Sequence, residues 1–280
     1  VDDELILVGD GGRIVRLEGE QIVDIMSGTR QNLRGISVNR INGTILVVGN
    51  EGTVVQLDAG ASAPRVSLLG SQNLRAVSWN LDGTLALIAG NEGMLSTLSQ
   101  ETIHSVEGGR ANFRHIAWRP NTNLALVTSN CFAEEFIPSP NLFSYDMETR
   151  TLSSLNEGRA DLIGVDWKPD GTVAIVVGYD VIWHNGLVAT YDGRNISPIE
   201  FPSKRVYPVA VSWNPKKEVA AIVTATAQPN AGQGILYLWN GKELRTIFRS
   251  KQFFFSAVAW NTEGNEVVAL GSSATRTFNC

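Results

Sequence analysis

Cysteine is nearly absent from this 280-residue chain. Two residues, Cys131 and Cys280, can build neither a disulfide scaffold nor a cysteine-based zinc ribbon. They fall in different sequence repeats, and given the short Cα reach of a disulfide no bond between them is expected. Histidine is as scarce: His104, His115 and His184 are the three, with no HExxH or paired-His spacing. No cofactor and no metal is expected. No GxSxG elbow or phosphate-binding GK[ST] occurs, and Ser78-Trp79-Asn80-Leu81-Asp82-Gly83-Thr84 only brushes the sialidase Asp box. Apolar runs stay far below 18 residues, so no membrane insertion is expected. Charge is thin at 18% and sums to −5 without any Lys or Arg run, a poor match to nucleic acid. With 43% hydrophobic residues the chain can bury a large core, which excludes wholesale disorder. The opening Val-Asp-Asp carries neither an initiator Met nor a signal peptide, so a processed or excised chain is expected. A soluble protein, cytoplasmic rather than secreted, is the accompanying expectation.

Glycine is what the chain has in plenty, 27 residues against 10 prolines, which points to many tight turns between short strands. The turns recur with a period. Residues 33–57 (LRGISVNRINGTILVVGNEGTVVQL) align without a gap to 74–98 (LRAVSWNLDGTLALIAGNEGMLSTL). The match returns as FRHIAWRPNTNLALVTSN from Phe113, LIGVDWKPDGTVAIVVG from Leu162, VAVSWNPKKEVAAIVTA from Val209 and SAVAWNTEGNEVVALGS from Ser256. ELILVGDGGRIVRL, from Glu4, enters the pattern part-way through. One anchor position holds Val38, Trp79, Trp118, Trp167, Trp213 and Trp260. A period of 39 to 49 residues marks a repeat architecture of supersecondary units that bury their faces against neighbours.

Each unit reads as four short strands. In the Leu74 unit these are RAVSWN, TLALIAG, MLSTLS and TIHSVE, with Asp82-Gly83 in the first hairpin. The second strand is apolar on both faces, as for a strand covered from both sides. Period, four-strand grammar and aromatic anchor together resemble the WD-repeat-like β-propellers over essentially the whole chain. Neither the Gly-His opening nor a third-strand Trp-Asp is present; Tyr145-Asp146, Tyr191-Asp192 and Trp239-Asn240 stand there instead. The GNEG and GDGG loops look like those of divergent prokaryotic propellers. The resemblance implies an all-β, single-domain β-propeller over 1–280, with units starting near 4, 33, 74, 113, 162, 209 and 256. Seven blades of four antiparallel strands with an incomplete seam are expected. The alternative is six, with residues 256–261 completing the N-terminal blade.

Strand order puts the loop entering each first strand on the same face as the loop between strands two and three. In the early units that face is regular: Asn32-Leu33-Arg34, Asn73-Leu74-Arg75 and Asn112-Phe113-Arg114, opposed by Asp10, Glu51 and Glu92. In the later units the loops lengthen into CFAEEFIP at 131–138, YDVIWH at 179–184 and ATAQPNAGQG at 225–234, beside Tyr207 and Phe253-Phe254-Phe255. Loops on a rigid scaffold carry function, and aromatics with arginine are the usual anchors of interfaces. The expected role is a non-catalytic scaffold that binds a protein or peptide partner. Arg34, Arg75, Arg114, Phe132, Phe136, Trp183, Tyr207 and Phe254 are its candidate contact residues. Each group also has a structural explanation: Arg–Glu pairs knitting adjacent loops, and aromatics folded into local cores. Two alternatives remain. One is a propeller hydrolase or lyase with Asp10, Glu51 and Glu92 as a carboxylate or metal site at the channel mouth. The other is a carbohydrate-binding propeller using Trp183 and Phe254 as stacking faces.

Overall fold

The computed structural model of the chain describes residues 5–18, 21–130, 138–202, 206–226 and 234–273. Apart from a single 3₁₀ turn at Asp10–Gly12, the regular elements of these residues are all strands. None of them forms a helix long and apolar enough to cross a membrane.

The first sheet has three strands, β1 (Leu5–Val8), β2 (Ile14–Glu18) and β3 (Gln21–Ile25). The second contains β4 (Leu33–Val38), β5 (Ile45–Gly49), β6 (Thr53–Leu57) and β7 (Arg65–Leu68). The third contains β8 (Leu74–Trp79), β9 (Ala86–Gly90), β10 (Leu95–Ser99) and β11 (Thr102–Ser105). The fourth contains β12 (Asn112–Trp118), β13 (Leu124–Asn130), β14 (Ser139–Asp146) and β15 (Thr151–Gly158). The fifth contains β16 (Ala160–Trp167), β17 (Ala174–Asp180), β18 (Gly186–Tyr191) and β19 (Ile196–Ile199). The sixth contains β20 (Val206–Trp213), β21 (Ala220–Thr226), β22 (Gly234–Trp239) and β23 (Leu244–Ser250). In each of these sheets the strands lie in sequence order. Two further strands, β24 (Phe253–Trp260) and β25 (Val267–Ser273), pair with each other alone among the described residues.

Among the described residues the blade count therefore corrects the expected seven to six, five four-stranded blades and the three-stranded first, with β24 and β25 a two-stranded sheet beside them. The route to six also differs from the one anticipated. β24 does not complete the first sheet, because it is in register with β25 from Phe253↔Ser273 to Trp260↔Val267. Its apolar residues Val258 and Trp260 pack instead on Ala221, Val223 and Leu236 of the sixth blade.

The chain forms two compact units, Val1–Val127 with Phe143–Ser154, and Thr128–Leu142 with Leu155–Cys280. In the first unit, alternate residues of each second strand serve different cores. Val47 packs with Ile14, Leu33 and Val55, while Leu46 and Val48 pack with Leu74, Val77, Ala86 and Ile88. On β9, Ala86 and Ile88 face that cluster and Leu87 and Ala89 face the next, with Phe113, Trp118 and Tyr145. The second unit repeats the device on β21, where Ala220 and Ile222 join one core and Ala221 and Val223 another. Period-2 alternation across a strand makes this possible: every residue is buried, half on each side.

The anchor position adds polar links between neighbouring blades. The Trp118 indole N–H donates to the Ser78 carbonyl at 3.0 Å, and that of Trp260 to the Ser212 carbonyl at 3.1 Å. The backbone N–H of Trp213 donates to the Asp166 carboxylate at 2.7 Å. Trp118, Trp167 and Trp213 are buried, Trp79 and Trp260 half-buried, and Val38, which lacks an aromatic ring, is exposed. In the Asp-Gly hairpins, the aspartate turns back onto the following threonine. Asp82 accepts from the Thr84 N–H and hydroxyl, and Asp170 does the same with Thr172. Lys168 bridges Asp170 at 2.9 Å and Glu218 of the sixth blade at 2.7 Å. The Thr172 hydroxyl, Lys168 and the Thr172 N–H together hold the Asp170 carboxyl down at about 2.

Two measurements check this frame. Trp213→Ala removes a buried anchor and should destabilise the protein by about 3–5 kcal/mol in urea unfolding; a loss under about 1 kcal/mol would place the ring outside the core. For Asp170, a carboxyl depressed on folding stabilises above its ordinary value of 3.8, and that contribution disappears as pH falls toward about 2. Melting curves of Asp170→Asn should thus show a shallower fall in melting temperature over this window than the parent protein. Parallel profiles would remove Asp170 from the acid response.

Candidate functional site

In the first unit the loop-rich face is built by one device used three times. Asn32, Asn73 and Asn112 each stand two residues ahead of an arginine. Their side-chain oxygens accept the backbone N–H of Gly11 at 2.8 Å, Glu51 at 3.1 Å and Glu92 at 3.0 Å, each in the preceding blade. Those acceptor-bound residues occupy the left-handed region, with φ of 69°, 54° and 58°, which leaves their N–H groups outside any ladder. The asparagine satisfies them and fixes the loop.

Arg34 and Arg75 follow at β-bulges. Pairing of β4 with β5 skips from Leu33 to Gly35, and pairing of β8 with β9 skips from Leu74 to Ala76. A bulge removes one residue from the ladder and re-aims its side chain. The two bulged segments lie against each other: a Cβ at Gly35 would stand 3.0 Å from the Arg75 carbonyl oxygen. Arg34 pairs with Asp10 at 3.0 Å, and the Arg75 Nε donates to Asn91 Oδ1 at 3.4 Å. Arg114, half-buried on β12, completes the row. Burial lowers the Arg75 pKa, and the positive charges of Arg114 and Arg34 lower it further, so the three guanidinium groups share one field.

The expected knitting of these arginines to Glu51 and Glu92 does not occur at Arg34 or Arg75. Arg34 takes the shorter Asp10, and the Glu51 carboxylate accepts from Gln31 at 2.6 Å. Asp10, Glu51 and Glu92 do not gather either: among the described residues no three His, Cys, Asp or Glu side chains come together as a set of metal ligands.

In the second unit the same loop position is reshaped. Between β17 and β18 the chain turns through residues 181–185. Asp180 holds that turn by accepting from the N–H groups of Ile182 at 2.8 Å and Trp183 at 2.7 Å. The His184 N–H returns to the Asp180 carbonyl at 2.9 Å, with His184 at φ 52°. Trp183 at the tip is 74% exposed. The two ends of the turn, Asp180 and Asn185, help line an open groove of about 350 Å³ with Leu187, Pro198, Ile199 and Phe201; Trp183 itself is not among its lining residues. Tyr207 is half-buried and stacked on Tyr179 at 4.5 Å, so one ring face is already occupied.

Phe253 and Phe255 fold into a cluster with Phe248, with centroids between 5.5 and 6.3 Å, while Phe254 points to the other side of β24 and is half-buried. Phe132 and Phe136, like Cys131 and Cys280, lie outside the described residues. Two further features have no counterpart among the sequence expectations. Asp161, 6% exposed, accepts the Tyr179 hydroxyl at 2.8 Å and so braces the Tyr179–Tyr207 stack. Phe248, on an outer strand, is 48% exposed. Asp161 holds the recurrent place of Asn32, Asn73 and Asn112, six residues ahead of the anchor, so the repeat marks the position but not its Tyr179 partner; Phe248 has no such place.

No family model and no curated protein matches the sequence. Solved structures do match in shape. Hydrazine synthase of Kuenenia stuttgartiensis superposes with a TM-score of 0.77 at 12% identity, over 97% of this chain and 93% of that one. The β-propeller domain of Myceliophteria thermophila Cps50 (Swd1) gives 0.73 at 13% identity, over 97% and 90%. At such identities the likeness is one of fold, and the fold is a β-propeller.

Proposed function

We propose that the protein is a non-catalytic scaffold that binds a protein or peptide segment through its loop-rich face. The observation that carries this reading is Trp183: a large apolar ring held 74% exposed on a turn that Asp180 pins with two hydrogen bonds. An indole costs free energy when it stands in water, and fixing its backbone in advance lowers the entropy lost on docking. The groove that opens at the ends of the same turn offers Leu187, Pro198, Ile199 and Phe201 to an aliphatic side chain of the ligand. Tyr207 and Phe254, both half-buried, serve as secondary contacts, and Arg34, Arg75 and Arg114 are the polar contacts of the first unit.

A random-peptide display library selected on the intact protein tests the reading. Recovered peptides should lose roughly tenfold or more in affinity against Trp183→Ala, measured by calorimetry. Asp180→Ala, which frees the turn while keeping the ring, should weaken them by a smaller factor. Retention of full affinity by both variants would sink the assignment, as would a library that yields no binder while a glycan array does.

A further inference from the structure

We propose that the arginine row of the first unit is a binding site for the carboxylates of an acidic peptide segment. The inference rests on the loop-rich face being a contact surface, and it assigns the chemistry that one part of that surface selects. Three independent features of the structure support it.

The first is placement. Arg34 and Arg75 occupy bulge positions, which contribute nothing to the ladder and leave the side chain free of strand pairing. The equivalent bulge residue is Val209 in β20 and Ser256 in β24, so arginine is not demanded by the bulge. The second is approach. Gly35 has no Cβ, which lets the β4 bulge come against the Arg75 backbone and sets the two bulged arginines on touching segments, where Arg75 feels the charge of Arg34.

The third is charge balance. Within this row Arg34 has Asp10, itself 61% exposed, and Arg75 has only the neutral Asn91 amide, through a long 3.4 Å contact. No carboxylate among the described residues pairs with Arg75. Glu51 is engaged by Gln31, and its backbone N–H is held by Asn73. A half-buried guanidinium that feels two others and lacks an anion is unfavourable to the folded chain alone. A bound carboxylate reverses the sign of that interaction, and Arg offers it a bidentate fork. A carboxylate-bearing peptide can meet Arg75 first and the arginines on either side of it in turn.

The test uses a Glu-rich hexapeptide and its Gln counterpart, titrated calorimetrically into the intact protein. The Glu peptide should bind, weaken as salt rises, and exceed the Gln peptide by roughly tenfold or more. Arg75→Gln and Arg114→Gln should each reduce Glu-peptide affinity by a similar factor. The melting temperature of Arg75→Gln should be unchanged or raised, because a repulsion is relieved. The proposal is overturned if Glu and Gln peptides bind alike or not at all, if Arg75→Gln binds undiminished, or if Arg75→Gln lowers the melting temperature by several degrees. Display peptides that depend on Trp183 but carry no acidic residue would overturn the carboxylate site and leave the scaffold reading intact.

Discussion

The structure depends on strands that are apolar on both faces. β5, β9, β13, β17 and β21 are buried nearly throughout, which no isolated antiparallel sheet can arrange. Such a strand forces a neighbour onto each side of its blade, and alternate residues then belong to different cores. β25, whose sheet holds two strands among the described residues, is by contrast only half-buried from Val267 to Leu270. Blade-to-blade packing is thus the unit of stability, and the polar links at the anchor position set the spacing at which it occurs.

The two units have diverged in different ways. The first keeps the repeat almost unchanged, with Asn capping a left-handed loop residue and Arg leaving the ladder at the next bulge. The second replaces the Gly-rich loop with an Asp180-capped turn that raises an indole into solvent. Both use a short polar side chain to satisfy loop N–H groups. They differ in what the fixed loop then displays.

Most of the fold was legible because it is periodic. In the Leu74 unit the four strands fall where hydrophobic alternation and the Asp82-Gly83 turn put them. Blade number was less legible: a repeat count does not say whether a terminal unit gathers four strands, although β24 pairs with β25 through the same bulge as the other first strands, as its sequence match implies. Arg34 and Arg75 could be singled out by recurrence, but their partners could not. Asp10 and Asn91 win over Glu51 and Glu92 through loop geometry that a left-handed glutamate creates. Asp161 falls at the place of Asn32, Asn73 and Asn112, so recurrence pointed to it, but its contact with Tyr179 has no counterpart in the earlier blades and could not be read from the repeat.

The bulge at the start of each first strand has a consequence for how such a protein changes over time. A residue outside the hydrogen-bonded ladder can be exchanged with little effect on folding, yet it occupies the same address in blade after blade: Arg34, Arg75, Ile163, Val209 and Ser256. Each blade therefore carries a variable side chain at a fixed address, which point substitution can change while the cores that hold the blades together are left intact.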